Sequence, residues 1–304
     1  MSILINILLP VFIVAGLSAL AQHRLALNVQ TFSKAAFYVF SPAMVIDALL
    51  NSDVSGKEFG QLALALTLTV LLLWLLGEVA SRVLKLEPGT RAAFLVAVLL
   101  SNSGNYGLPV NYFAFGDSGL ARAALYVTVN SVLRSTLGVY ITARGDASSP
   151  GDSLRRVFSV PVIYAAIIGV VFNVMGWTMP DPVLKAARMM GQGLVPSSLI
   201  VLGAQIMRTL RDRQRAAQPI ALGVMGVGRL LLAPVVAYII GGLVGLNGLS
   251  RKVLTLESAT PTAVMTLVLA TEYETDVPFA ALSVLVTTLV SLLSVTLWLR
   301  LLMS

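Results

Sequence analysis

The sequence predicts an all-α membrane protein of ten transmembrane helices, arranged as a 5+5 inverted repeat with helices 4 and 9 broken. Three observations predict it. The 304 residues are 57% hydrophobic and only 12% charged, with a mean hydropathy of +0.87, whereas soluble domains carry about 25% charged residues. The apolar residues gather into runs close to the roughly 20 residues that a helix needs to cross a bilayer. Prolines recur at half the chain length: Pro10 and Pro161 are 151 apart, Pro42 and Pro196 are 154, and Pro109 and Pro261 are 152.

The spans follow in order. Span 1, at 2–21, opens without a Lys or Arg before it, so it lacks the basic start of a signal peptide and is read as retained. The single His, His23, falls in the loop after it. Span 2 covers 32–50 and holds Pro42. Span 3, at 59–84, starts in "EFGQLALALTL". Span 4, at 91–115, runs from "AAFLVAVLL" into "SNSGNYGLPVN". The "GDSG" at 116–119 is read as a turn with Asp117 or Ser118 as a helix cap, and span 5 covers 119–143. The polar, turn-rich "RGDASSPGDS" at 144–153 is the linker at mid-chain. Span 6, at 154–176, contains "VPVIYAAIIG", which parallels "LPVFIVAG" of span 1. Span 7 (182–209), span 8 (218–244), span 9 (249–271, with Pro261) and span 10 (277–302) complete the set.

The linker thus separates a first repeat, 1–143, from a second, 154–304. Five spans are an odd number, so the second half enters the membrane in the opposite sense, the layout of inverted-repeat transporters. Basic residues set the orientation. With the N-terminus outside, the cytoplasmic side holds Arg24, Lys34, Arg82, Lys85, Arg91, Arg144, Arg155, Arg156, Arg208, Arg211, Arg213 and Arg215. The outer side holds the smaller set Lys57, Arg122, Lys185, Arg188, Arg251, Lys252 and Arg300. Both termini are therefore expected outside the cytoplasm. The net charge of +7 is explained by this topology, not by nucleic acid.

The two breaks are the candidate site. A pair of interrupted spans at corresponding positions is the best sequence pointer to a transport site, and here they are "SNSGNYGLP" and "ESATPTA". Proline removes a backbone donor, and Gly104 and Gly107 let the chain unwind. Unwound backbone at membrane depth must lie inside protein or face water. Two broken helices crossing near the midplane supply each other's partners and aim two partly positive N-termini at one point, which favours a small anion. The candidate substrate-binding residues are Asn102, Ser103, Asn105, Pro109, Thr260, Pro261 and Thr262.

Ionisable residues inside spans are functional candidates by default. Glu257, four residues before Pro261, is a candidate for binding Na⁺ or a proton, with Asn111, Thr128, Asn130 and Ser131 as further oxygen ligands. Arg134 and Arg229 are candidates to attract the anion or to neutralise Glu78 and Glu257; buried charges are normally paired.

At these residues the chain resembles the auxin efflux carrier family, which includes plant PIN-like and bacterial malonate-type carriers. "NSGNYGLP" is similar to its fourth-span pattern of an Asn with a Gly two residues before a Pro. "ATPTAVMTLVLATEY" is similar to its A-x-P-x-A/G followed by A-x-E-Y, and "LIVLGAQI" at 199–206 to its seventh-span LG motif. The resemblance implies a ten-span crossover fold. Helices 1, 2, 6 and 7 form a scaffold and homodimer surface, and helices 3–5 and 8–10 a transport unit that moves like an elevator. It implies an organic anion at the crossover, with Asn102 as a contact and Pro109 and Pro261 as the crossover prolines. Plant members carry an acidic residue early in span 3; here Glu58 stands at the edge of that span and Gln61 inside it.

The expected function is secondary transport of small organic anions, auxin-like or malonate-like carboxylates. A sodium-coupled symporter of the bile-acid type and a non-transporting anion sensor are the alternatives. No cofactor, resident metal or catalytic residue is expected: there is no Cys and one His, so thiolate or His-based metal sites and Ser–His catalysis have nothing to work with.

Overall fold

A bilayer offers no water to unpaired backbone groups, so a chain this apolar must satisfy them within helices. In the computed structural model, residues 7–25, 28–50, 54–142, 161–211 and 218–303 are described, and every regular element among them is helical. The expected linker at 144–153 and the start of span 6 lie outside the described residues.

The first half holds α1 (Leu9–Leu25), α2 (Val29–Ala35), α3 (Ser41–Leu50), α4 (Gly56–Val83), α5 (Pro88–Leu99), α6 (Leu108–Leu133) and α7 (Val139–Thr142). The second holds α8 (Pro161–Met175), α9 (Asp181–Gln192), α10 (Leu194–Arg211), α11 (Pro219–Val227), α12 (Ala233–Leu243), α13 (Gly248–Ser258), α14 (Met265–Glu272) and α15 (Val277–Met303). Single π turns at Ala36–Phe40, Ser103–Gly107, Arg134–Gly138 and Gly228–Leu232 join α2 to α3, lead into α6, and join α6 to α7 and α11 to α12. Among the described residues, three helical stretches are long and apolar enough to cross a membrane: Gly56–Val83, Pro219–Leu243 and Val277–Met303.

Several boundaries differ from the sequence reading. His23 lies within α1 and not in a loop; the helix carries its polar end one turn further. Span 7 is two helices, α9 and α10, parted at Gly193. Its first part, "DPVLKAARMMGQ", is strongly amphipathic and mostly exposed, with Ala187 and Gly191 buried. Spans 4 and 5 are continuous in helical hydrogen bonding across a kink at Gly116, whose φ of 66° an L side chain rarely adopts. The "GDSG" turn is therefore present, and glycine is what permits it.

Packing sorts the helices into two groups. One is built from α1 on α10, α3 on α8 and α9, and α10 on α2. Gly203 of the "LG" motif allows its closest approach: a Cβ there would fall 1.9 Å from the Ala15 carbonyl oxygen. In the other group α4 packs on α5 and α12, α13 on α12 and α6, and α15 on α14, α5 and α11. Leu62, Leu66, Val70 and Leu73 of α4 recur at helical spacing and are buried, while Leu64, Leu75 and Val79 on its opposite side are exposed. A wholly apolar exposed flank of this kind suits lipid. The groups touch where α3 meets α6 and where α10 meets α6 and the π turn 103–107.

Candidate functional site

The first break begins where Leu100 leaves α5 with extended φ/ψ. Ser101 to Asn102 runs non-helically, Ser103–Gly107 forms the π turn, and Pro109 sits in the first turn of α6, where its missing N–H has no helical partner to lose. The second break runs from Ala259 to Val264, around Pro261, between α13 and α14. The two meet: Ser101 and Thr262 form an antiparallel bridge. The Asn102 amide donates to the Pro261 carbonyl at 2.8 Å, and the Ala263 amide to the Leu100 carbonyl at 2.8 Å.

Each break creates two kinds of orphan backbone group, carbonyls where a helix ends and amides where one begins. The carbonyls are saturated. At the end of α5, Val96 O accepts from the Leu100 amide, Ala97 O from Thr262 Oγ1 at 2.9 Å, and Val98 O and Leu99 O from the Arg229 guanidinium at 2.9 and 3.3 Å. At the end of α13, Glu257 O accepts from Thr260 Oγ1 at 2.7 Å, and Ser258 O accepts from Arg229. A single buried cation, 1% exposed, thus lies against the negative ends of both half-helices, where a cation is favoured.

The amide ends are different. Ser103, Gly104 and Asn105 open their turn, and Val264 and Met265 open α14. Both openings line one cavity of about 350 Å³. Ser101, Asn102, Leu108, Val127, Arg134 and Val268 complete its wall on this side. Ser33, Lys34, Tyr38, Ser41, Leu194 and Ser198 face them from α2–α3 and α10. Asn102 is 5% exposed, and its Nδ2 has no hydrogen-bond partner among the described residues. A Cβ on Gly104 would meet nothing within 4 Å. Two cationic side chains and no acidic one stand among the described lining residues. Asn130 holds the floor in shape, donating to Ser103 Oγ at 3.0 Å and Ser101 Oγ at 3.4 Å.

Glu257 lies on the far side of the junction, fully buried. Asn111 Nδ2 donates to its Oε1 at 2.9 Å and to the Gly107 carbonyl at 3.0 Å. Gly107 leaves room for this carboxylate: a Cβ there would overlap Glu257 Oε2, so a larger residue would force the carboxylate to move.

Of the candidate substrate residues, then, Asn102, Ser103 and Asn105 line the cavity. Pro109, Thr260, Pro261 and Thr262 build the junction and are not among its lining residues. The expected cation-ligand set does not assemble around Glu257. Asn111 is bonded to it, whereas Asn130 serves the cavity floor, and Thr128 and Ser131, whose hydroxyls donate to Ala124 and Val127 in their own helix, show no bond to Glu257 among the described residues. Such back-bonding is the cheapest way to bury a helical hydroxyl. The expected neutralisation of Glu78 by Arg134 or Arg229 is corrected: Glu78 pairs with Arg91 and, at 3.8 Å, with Arg82. Lys34, Ser41 and Ser198 were not foreseen in the cavity; Lys34 reads in the sequence as a topology signal. Glu58, at the edge of span 3, ties three elements together through Arg122 and Ser250.

Residues 3–299 match the family described as membrane transport protein. An uncharacterized transporter of Methanothermobacter thermautotrophicus is 28% identical over 304 residues, covering 98% of this chain and 95% of its own. An uncharacterized transporter of Methanocaldococcus jannaschii is 26% identical over 273 residues, covering 86% and 85%.

Proposed function

The chain belongs to the membrane transport protein family, the auxin efflux carrier family that its two break motifs resemble, and from that premise we propose that it is a secondary transporter of small organic anions. The cavity carries this reading: two half-helix N-termini, an unpartnered buried amide on Asn102, and Lys34 and Arg134 surround one space with no acid among the described lining residues. Aligned backbone donors and fixed positive charge favour a carboxylate there.

An elevator-type alternating-access mechanism fits a second cavity. It measures about 790 Å³ and is lined by Met44, Asp47, Tyr112, Asp117, Arg188 and Val195 among others. It draws on the same two helix groups as the first, further along α3 and α6. Sliding the group that carries the junction past the α1, α3, α8 and α10 group would shift the anion from one vestibule toward the other. In this reading helices 1, 2, 6 and 7 are the scaffold and homodimer surface, the protein sits in the cell membrane, and both termini are outside. Sodium-coupled symport is the second reading, favoured by the buried carboxylate of Glu257.

The test is flux. Purified protein in liposomes is expected to move labelled malonate or a related carboxylate, saturably and in competition with other carboxylates. Binding without flux would replace transport by sensing, and absence of carboxylate binding across a mono- and dicarboxylate screen would remove the anion site itself.

A further inference from the structure

The orphan atoms at Glu257 have a specific chemistry. Glu257 Oε2 and Asn111 Oδ1 are both buried and both lack a hydrogen-bond partner among the described residues, and both are acceptors. They belong to two groups already joined by one bond, Asn111 Nδ2 to Glu257 Oε1 at 2.9 Å. The amide orientation is fixed, because Nδ2 also donates to the Gly107 carbonyl, which an amide oxygen could not do. A carboxyl group and a primary amide joined on one edge form a cyclic pair when the second edge gains a single hydrogen, donated by the acid O–H to the amide oxygen. One proton would therefore satisfy two orphan acceptors together, each costly to leave buried and unpaired.

We propose that Glu257 is the proton-carrying group of this protein: a hydronium ion gives its proton to Oε2 and leaves as water, and the neutral acid closes a cyclic pair with Asn111 that locks the two breaks together. Glu257 ends α13 just before the second break, and Asn111 opens α6 just after Gly107 closes the first, so the protonation state is read beside the junction itself. Ionised, Oε2 fills the place a Cβ on Gly107 would take with no donor among the described residues, and the junction loosens. The proposal deepens the transport reading by naming its coupling ion. Sodium fits the geometry less well. A hard cation takes about six oxygens, yet of the four companions only Asn111 is hydrogen-bonded to Glu257 among the described residues.

The elements packed on α13 add few charges. Arg229 acts on Glu257 through space while donating to carbonyls. Tyr126 bonds Ser101 and Ser258, and Tyr106 lies 3.1 Å from Ser291. The Glu58–Arg122 pair and the stacked Arg251–Tyr238 sit at the opposite end of the helix.

Infrared difference spectra between acidic and alkaline buffer test this without a transported anion. Wild-type protein is expected to show a carboxylic-acid C=O band that E257Q lacks completely and that exchanging Na⁺ for K⁺ leaves unchanged. Asn111→Val is expected to move the band to higher frequency, since the acid carbonyl loses its N–H donor. A band that survives in E257Q, or one that sodium abolishes, overturns the proposal. If E257Q does not fold, the Asn111→Val shift and the sodium exchange decide by themselves: an unshifted band or a sodium-sensitive one overturns it. Failure of carboxylate binding would remove the transport reading and leave this band in place.

Discussion

The same junction treats its two kinds of helix end in opposite ways. Where α5 and α13 stop, the partly negative carbonyl ends are filled by Arg229, Thr260 and Thr262. Where the π turn 103–107 and α14 start, the partly positive amide ends face an open cavity. One pole is sealed with a cation of the protein's own, and the other opens on the cavity. On the proposed reading, a broken helix pair can serve as an anion site only because its negative poles are neutralised internally. Without Arg229 the two dipoles would present both signs to the same small volume.

The largest way to break this contrast is at the sealed pole. Arg229→Met keeps much of the apolar volume but strips donors from three buried carbonyls. A loss of about 3–5 kcal/mol is expected, in the range for an uncompensated buried polar network, read as a collapse of the unfolding midpoint in detergent. Arg229→Lys should recover part of it, because one ammonium cannot span both helix ends. Gly107→Ala comes next. Its Cβ cannot coexist with Glu257 Oε2, and the forced shift should cost about 1–3 kcal/mol by the same measurement; a variant as stable as wild type would place Glu257 elsewhere.

The remaining changes sharpen the open pole and should leave stability alone. Asn102→Ala removes a buried donor that has no partner among the described residues, so calorimetric affinity for a carboxylate should fall about tenfold, or ~1.4 kcal/mol, with an unchanged unfolding midpoint. A well-folded variant with full affinity would show that the anion lies elsewhere. Lys34→Gln should be the smallest. Lys34 is exposed, so a few-fold loss is expected at low salt, vanishing in high salt through screening.

Much of this architecture was readable before the coordinates. Apolar runs report spans because lipid demands them, and Pro109, Pro261, Gly104 and Gly107 report breaks because they cannot hold a regular helix. Asn102 and Asn105, which line the cavity, stand out in the sequence because polar amides inside such runs need a reason. The rest depended on direction. Thr260 and Thr262 share a sequence window with the cavity-lining Ala263 and Val264, but their hydroxyls turn back to helix ends, and nothing in spacing says which way an unwound residue points. Arg229 looked like a charge seeking a carboxylate. A different question would have found its role: which side chain supplies donors for the carbonyls that two breaks leave behind? Lys34 was hidden by its place in a basic, span-flanking position, since topology signals and ligand contacts use the same residue type. The split of span 7 at Gly193 was missed because "GQGLVP" is no more polar than many intact helices.

The bridge between Ser101 and Thr262 has a consequence for how lengths can vary in this chain. It registers two segments, more than half the sequence apart, to a single residue on each side. Along extended backbone, one added residue turns every following side chain to the opposite face. An insertion between Leu99 and Asn102 would thus swing Asn102 out of the cavity wall, and one between Thr260 and Ala263 would misplace both the Thr262 hydroxyl and the Ala263 amide. Surface connections between helices tolerate insertions far more easily. In this chain, connections between spans are expected to accept insertions that the two breaks would not.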